Sequence, residues 1–114
     1  MIKDNLFERY RANEDFIQKY IFPGGFLPSI KFMENIIKKN NLKLEQINTY
    51  SDDYAKTLAT WRENFLGVWE KISPLGFDDY FKRMWEFYLS YCEGGFKAKN
   101  INLIQFSMSN RYLS

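Results

Sequence analysis

The segment Ile101–Met108 constrains the fold most, because it has the length of a β-strand yet carries apolar side chains on both faces. Ile101 and Leu103 point one way, whereas Ile104 and Phe106 point the other. Two apolar faces are typical of a strand inside a sheet, with a neighbour on each side. The remainder of the chain offers one other plausible strand, so one edge of this strand is predicted to lack a partner.

The other strand is predicted at residues 42–50, although Gln46 interrupts its strict alternation. Four helices are predicted from apolar residues that recur at spacings of three and four. Ser29 is the predicted N-cap of the second helix, and Gly94-Gly95 is expected to loosen the end of the fourth. The four helices cover residues 15–22, 29–39, 52–72 and 77–96.

Composition excludes several kinds of catalytic site. Aromatic residues make up 19% of the 114 residues, which argues against disorder because each large ring needs a buried place. The chain has no histidine and a single cysteine, so it can build no imidazole triad, histidine metal site, disulfide or cysteine zinc cluster. The single cysteine, Cys92, is expected to be a reduced, buried and structural thiol.

Charge and hydropathy indicate neither a nucleic-acid partner nor a membrane span. The formal net charge is +2, and the basic residues are dispersed, which favours solvated faces. No apolar stretch approaches the roughly 20 residues that a membrane span needs, and the polar N-terminus is unlike a signal peptide. The cytoplasm is therefore the expected location. Four helical carboxylates are expected to be solvated and without a catalytic role, namely Glu63, Glu70, Glu86 and Glu93.

A family resemblance emerges at residues 20–29, which read YIFPGGFLPS. Further motifs follow in the same order, with DYAKTL at 53–58, WRENFL at 61–66 and FKRMWE at 81–86. Together they resemble the cyclopropane-fatty-acyl-phospholipid synthase family over roughly Leu6 to Ser109. Members of that family use S-adenosylmethionine to methylenate or methylate unsaturated acyl chains.

The resemblance implies a fold as well as a chemistry. It corresponds to the C-terminal part of a class I, Rossmann-like methyltransferase domain, with the family's fifth strand as the missing neighbour of the last strand. The predicted fold class is α+β, with four helices and two antiparallel strands. Residues 1–114 would form a single partial domain, in which residues 51–99 are an inserted helical pair over the acyl site.

The resemblance also implies site residues. Tyr54 matches the tyrosine that helps to hold a bicarbonate ion, the family's general base, whereas periodicity alone makes Tyr54 the first core residue of a helix. A Pro-Gly-Gly loop matches the border of the family's acyl site, although such a turn needs no ligand. The loop residues assigned to substrate binding are Phe22, Gly24, Gly25, Phe26 and Leu27.

An aromatic set on the last two predicted helices has two interpretations. Its rings could line an acyl tunnel, but a helix core stripe explains most of them with fewer assumptions. The set comprises Trp61, Phe65, Trp69, Phe81, Trp85 and Tyr88.

We therefore predict a C-terminal fragment or truncated homologue of such an enzyme, supplying the cover of the substrate site and the last two strands. The complete enzyme would use S-adenosylmethionine, bicarbonate and a lipid acyl chain, in the cytoplasm or at the inner membrane surface. No cofactor is expected in this chain, because its six glycines include no GxGxxG-like run, and it should be inactive alone. The alternative is a stand-alone module that binds an acyl chain or associates with itself, and a homo-oligomer is expected through the strand edge or apolar helix faces.

Overall fold

The computed structural model describes residues 1–110, which fall into two compact units. The sheet unit comprises Met1–Tyr50 and the segment that starts at Lys99, whereas the helical unit comprises Ser51–Ala98. The helices are α1 (Phe7–Ala12), a π-helix (Ile17–Ile21), α2 (Ile30–Lys39), α3 (Ser51–Gly67), α4 (Trp69–Ile72) and α5 (Asp79–Lys97), and the strands are β1 (Leu42–Thr49) and β2 (Ile104–Asn110).

The two strands form an antiparallel pair with one irregularity. Thr49 lies opposite Ile104, and the register shifts between Leu44 and Gln46. This bulge explains the interrupted alternation in the sequence, because an extra residue at position 45 lets Leu44 and Ile47 share a face. Helix α2 packs against β1, and a small apolar pocket between them and β2 is lined by Met33, Ile37, Leu44, Ile47, Ile104 and Phe106, among others. The predicted α+β class with two antiparallel strands is confirmed.

Strand β2 begins three residues later than the sequence predicts. Ile101 instead makes an isolated bridge with Ile2, and the Asn102 amide donates to the Met1 carbonyl at 2.7 Å. Among residues 1–110, the sheet has only β1 and β2, and every residue of β2 is half-buried or exposed. The apolar strand therefore has one strand neighbour in the described part of the chain, and Met108 is left 44% exposed.

Helix α2 has the ends that its sequence predicts. The Ser29 hydroxyl accepts a hydrogen bond from the Phe32 amide at 3.1 Å, as an N-cap does, and Ser29 is only 2% exposed. The helix ends before Asn41, which adopts a left-handed conformation with φ of 57°. Asparagine tolerates this conformation better than most residues, so it is a suitable residue to end a helix.

Helix α1 has no counterpart among the predicted helices. Phe7 is only 7% exposed, and its ring lies 5.6 Å from the Phe26 ring and 5.2 Å from the Phe32 ring. Because α1 has only six residues, contacts with distant aromatic rings stabilise it more than its own periodicity does.

The helical unit departs from the sequence prediction in two places. The apolar stripe at residues 52–72 spans two helices, α3 and α4, which are separated at Val68. Helix α5 starts where Asp78 accepts a hydrogen bond from the Phe81 amide at 2.9 Å, but it then continues through Gly94-Gly95 to Lys97. The expected loosening is wrong, because buried side chains on both sides of the glycines hold this part of α5. Helices α3 and α5 pack together, and their buried residues include Ala55, Leu58, Leu89, Cys92 and Phe96.

Candidate functional site

Tyr54 lies in the first turn of α3 and is half-buried in the helical unit. Its ring makes T-shaped contacts with two other rings. The centroid of the Tyr54 ring lies 4.8 Å from that of Phe96 and 5.8 Å from that of Trp61. Edge-to-face contacts of this kind favour one ring orientation. The structure therefore fixes the direction of the Tyr54 phenol from both α3 and α5.

A second phenol and the thiol lie close to Tyr54. Tyr88, Cys92 and Phe96 are spaced by four residues along α5, so they share one face of the helix. Burial raises the pKa of the Tyr88 phenol, and the nearby Cys92 and Tyr54 raise that pKa further. As predicted, Cys92 is buried, with 7% of its surface exposed.

This arrangement can contribute to an anion site but does not complete one. A protonated phenol donates one hydrogen bond, which suits an oxygen of a small anion such as bicarbonate. The guanidinium of Arg62 and the ammonium of Lys97 are also in the helical unit, but both engage Glu93. The bicarbonate role of Tyr54 therefore stays a prediction, and the structure adds the orientation of its ring.

The prediction of a solvated Glu93 is wrong, and Glu86 is half-buried rather than exposed. Glu93 is 8% exposed, and its oxygens lie 3.2 Å from Arg62 Nη2 and 2.9 Å from Lys97 Nζ. The hydrogen bond from Lys97 lowers the pKa of Glu93, with help from the two positive charges, although burial opposes the shift. Glu63 and Glu70 are exposed as expected. Glu93 instead joins α3 to α5, and the four-residue spacing of Glu93 and Lys97 was the sequence signal for half of this link.

The loop at Phe22–Leu27 belongs to the sheet unit and contains a tight turn. The Gly25 amide donates to the Phe22 carbonyl at 2.8 Å, which places Pro23 and Gly24 at the two central positions. Gly24 has φ of 80°, a conformation that suits glycine at the third position of such a turn. A side chain on Gly25 would put its Cβ 2.9 Å from the Phe22 carbonyl oxygen. Both glycines are therefore needed for the shape of the loop.

The apolar side chains of this loop are partly exposed. Phe22 is 58% exposed, and Phe26 is 46% exposed although its ring contacts Phe7, Tyr10 and Phe32. Phe26 thus has a structural role in addition to any contact with a ligand. The structure brings the five predicted substrate-binding residues together in one loop of the sheet unit, whereas Tyr54 lies in the helical unit.

The aromatic set of the helical unit forms a series of ring contacts. The distances between ring centroids are 5.6 Å for Phe65 and Trp69, 5.8 Å for Phe81 and Trp85, and 5.0 Å for Trp85 and Tyr88. These five rings are half-buried and pack on one another, as the core-stripe interpretation requires. Trp61 differs, because 47% of its surface is exposed.

Residues 1–110 contain neither a cluster of metal ligands nor a membrane-spanning helix. No group of three or more histidine, cysteine, aspartate or glutamate side chains is placed to hold a metal ion there. Over the same residues, no helix combines the length and the apolar character that a membrane crossing requires.

The chain is similar in sequence to several known proteins. Residues 1–106 match the family model described as mycolic acid cyclopropane synthetase. The chain is 39% identical over 99 residues to the tuberculostearic acid methyltransferase UfaA1 of Mycobacterium tuberculosis, covering 86% of this chain and 23% of that protein. It is 37% identical over 92 residues to the cyclopropane-fatty-acyl-phospholipid synthase of Escherichia coli K12, covering 81% of this chain and 24% of that enzyme.

A solved structure extends this similarity to three dimensions. The mycolic acid cyclopropane synthase CmaA1, complexed with SAH and CTAB, superposes with a TM-score of 0.77 at 27% identity. The match covers 91% of this chain and 35% of CmaA1. The chain thus spans about a quarter of the length of these two curated relatives and about a third of CmaA1.

Proposed function

The chain belongs to the mycolic acid cyclopropane synthetase family, and on that premise we propose that it is the C-terminal part of a methyltransferase domain. The complete domain would transfer a methylene or methyl group from S-adenosylmethionine to unsaturated acyl chains of a lipid. The observation that carries this proposal is the family match over residues 1–106, together with relatives about four times as long.

The chain's own contribution would be to bind and orient the acyl chain. In the Phe22–Leu27 loop, the exposed rings of Phe22 and Phe26 offer apolar contact area, and the glycines bring the backbone close without side-chain bulk. The half-buried rings of the helical unit would supply further apolar surface to the complete enzyme.

Tyr54 would act as a ligand of bicarbonate in the complete enzyme. Bicarbonate, when bound, would supply the general base that accepts a proton from the substrate carbon. The role of Tyr54 would be to donate a hydrogen bond that holds this anion. Its contacts with Phe96 and Trp61 support that role, because a fixed ring loses little conformational entropy when it binds a ligand.

Cofactor binding would depend on residues other than these. The absence of a GxGxxG-like run in the sequence supports a chain that is inactive alone and works beside a cofactor-binding part. We place the complete enzyme in the cytoplasm or at the inner membrane surface, where unsaturated lipid chains are available.

A second candidate function is a stand-alone module that associates with itself or binds an acyl chain. The observation that favours it is the strand β2, which has one strand neighbour among the described residues. An unpaired strand edge can pair with a second copy of the same chain.

A hybrid enzyme tests the first candidate. This chain would replace the matching segment of the E. coli cyclopropane-fatty-acyl-phospholipid synthase, and methylene transfer to unsaturated phospholipid vesicles would be measured. We expect transfer by the hybrid, and a loss of about 10²-fold in kcat/KM with Tyr54→Phe, which removes only the hydroxyl. The matched control is Tyr80→Phe, because Tyr80 is 60% exposed.

Two results would overturn this proposal. One is a folded hybrid that binds S-adenosylmethionine yet transfers nothing to any unsaturated acyl chain. The other is micromolar binding of S-adenosylmethionine by the chain alone in a calorimetric titration, because that would give the chain a cofactor site of its own.

A further inference from the structure

The Phe22–Leu27 loop is anchored by two side chains from earlier in the sequence. Gln18 Nε2 donates a hydrogen bond to the Gly25 carbonyl at 3.1 Å, and the Leu27 amide donates to the Tyr10 hydroxyl at 2.9 Å. We propose that Tyr10 and Gln18 are positioning residues, which hold this loop in the shape that selects among acyl chains. This inference rests on the proposed function, because it takes the loop to be part of the acyl site.

Gln18 is itself held in place at the start of the π-helix. The side-chain Oε1 of Gln18 accepts a hydrogen bond from the backbone amide of Asp15 at 2.9 Å. The backbone amide of Gln18 donates to Asp15 Oδ1 at 2.8 Å. This reciprocal pair is the arrangement of a capping box. Because both ends of the Gln18 side-chain amide are bonded, the donor that reaches Gly25 has little freedom to move.

Tyr10 anchors the loop through both its ring and its hydroxyl. The ring lies 5.9 Å from the Phe26 ring, and the hydroxyl accepts from the neighbouring Leu27 amide. Burial raises the pKa of this phenol, and the nearby Asp15 raises it further, although the Leu27 hydrogen bond opposes the shift. The hydroxyl therefore stays protonated near neutral pH, and its contact with Leu27 is a neutral hydrogen bond.

The two anchors fix the part of the loop that carries its exposed rings. Gly25 and Leu27 lie on either side of Phe26, and the glycine turn connects Gly25 to Phe22. With both positions tied, the backbone on either side of Phe26 is held by the protein rather than by the ligand. A fixed apolar wall discriminates between chains of different length better than a mobile one, because a mobile wall adapts to either.

Two conservative substitutions remove the anchors. Tyr10→Phe keeps the ring next to Phe26 and removes only the acceptor. Gln18→Met keeps the length of the side chain and removes both the donor to Gly25 and the acceptor of the Asp15 amide. Asn13→Ala is the matched control, because it removes a side-chain hydrogen bond of 2.8 Å to the Arg9 carbonyl, and both of those residues lie outside the Phe22–Leu27 loop.

The experiment uses the chain itself with sodium oleate and the shorter palmitoleate, below their micelle concentrations. Binding is followed through the backbone amide resonances of residues 22–27, and hydrogen exchange of the Leu27 amide is measured without ligand. We expect Tyr10→Phe to accelerate that exchange about tenfold, and each loop variant to change the ratio of the two affinities about fivefold. Asn13→Ala should leave the exchange rate and the ratio unchanged.

The ratio of affinities separates positioning from general stability, because partial unfolding weakens the binding of both fatty acids equally. An unchanged ratio, or an unchanged exchange rate at Leu27, overturns the inference and leaves the proposed function standing. If the unaltered chain binds neither fatty acid at the loop, this inference fails, whereas transfer by the hybrid enzyme still decides the proposed function separately.

Discussion

The turn at Pro23–Gly25 depends on two glycines for two different physical reasons. At Gly24 the backbone itself is the constraint, since φ of 80° is costly for a residue with a side chain, although open space surrounds the position. At Gly25 the constraint is space, since any Cβ would meet the Phe22 carbonyl oxygen at 2.9 Å. Gly24→Ala therefore tests the cost of the left-handed backbone conformation, whereas Gly25→Ala tests the cost of the contact with the Phe22 carbonyl oxygen.

We expect Gly24→Ala to lower the free energy of unfolding by about 1–2 kcal/mol, because it places a Cβ at a left-handed residue. Gly25→Ala should lower it by about 1–3 kcal/mol, because the Phe22 backbone must move. Urea denaturation measures both. The control is Gly67→Ala, where the Cβ meets nothing within 4 Å. Equal stability of Gly25→Ala and the unaltered chain would contradict the close contact.

Glu93 gives the stability of the helical unit a dependence on pH. Its contacts with Lys97 and Arg62 lower its pKa from the ordinary glutamate value of 4.5, so the native state binds fewer protons than the unfolded chain. The stabilisation is therefore present above about pH 4.5 and is lost as the pH falls through the folded pKa.

We expect Glu93→Gln to cost about 1–3 kcal/mol at pH 7 and to reduce the loss of stability on acidification. Urea denaturation followed between pH 7 and pH 3 measures the change, with Glu63→Gln as the control on the exposed face of α3. A slope with pH that is the same in Glu93→Gln and in the unaltered chain would show that this carboxylate does not stabilise the native state.

At the scale of helices and strands, an element could be predicted where its own residues supply the helix cap or the apolar periodicity. Ser29 starts α2 as predicted, because its side chain accepts a hydrogen bond from the amide of Phe32. The turn at Pro23–Gly25 was equally predictable, since proline and glycine restrict the backbone directly.

Elements that depend on distant contacts could not be predicted in the same way. Helix α1 is stabilised by rings from Phe26 and Phe32, which no local pattern reveals. Helix α5 continues through two glycines where the buried Glu93 binds Arg62 of α3, which is distant in sequence. The candidate site followed the same division, since the motifs indicated Tyr54 and the loop, whereas no sequence pattern links Tyr10 to Leu27 or Gln18 to Gly25.

Gly94 therefore offers a test of how α5 is held together. Its position is exposed, a Cβ there would meet nothing within 4 Å, and the residue lies inside the helix. Gly94→Ala should raise the free energy of unfolding by about 0.5–1 kcal/mol, because alanine loses less backbone entropy. Thermal and urea unfolding measure the gain. A loss of stability would indicate that α5 requires a flexible residue at this point.

For the whole molecule, the feature with the largest consequence is the outer edge of β2. Among the described residues, the sheet ends at β2, and a two-stranded sheet has limited stability without further cover. We propose that the family's fifth strand occupies this edge in a complete enzyme. In the chain alone, a second copy could occupy it.

We expect the isolated chain to self-associate, and Gln105→Lys combined with Ser107→Lys to weaken the association about tenfold or more, because edge lysines disfavour strand pairing. Sedimentation velocity over a range of concentrations measures this. Thr60→Lys adds a charge on the exposed face of α3 and serves as the control. A chain that stays monomeric while the β2 amides exchange slowly would contradict the free edge.

In the sequence, the helical unit is inserted between β1 and β2, and this order affects how fast the molecule folds. Thr49 pairs with Ile104, and the Tyr50 amide donates to the Leu103 carbonyl at 2.9 Å, so the sheet unit brings together the two ends of a long insertion. Closing so long a loop in an unfolded chain is entropically costly, whereas the contacts between α3 and α5 join residues closer in sequence. The helices should therefore form first, and pairing of β1 with β2 should be the slow step in refolding.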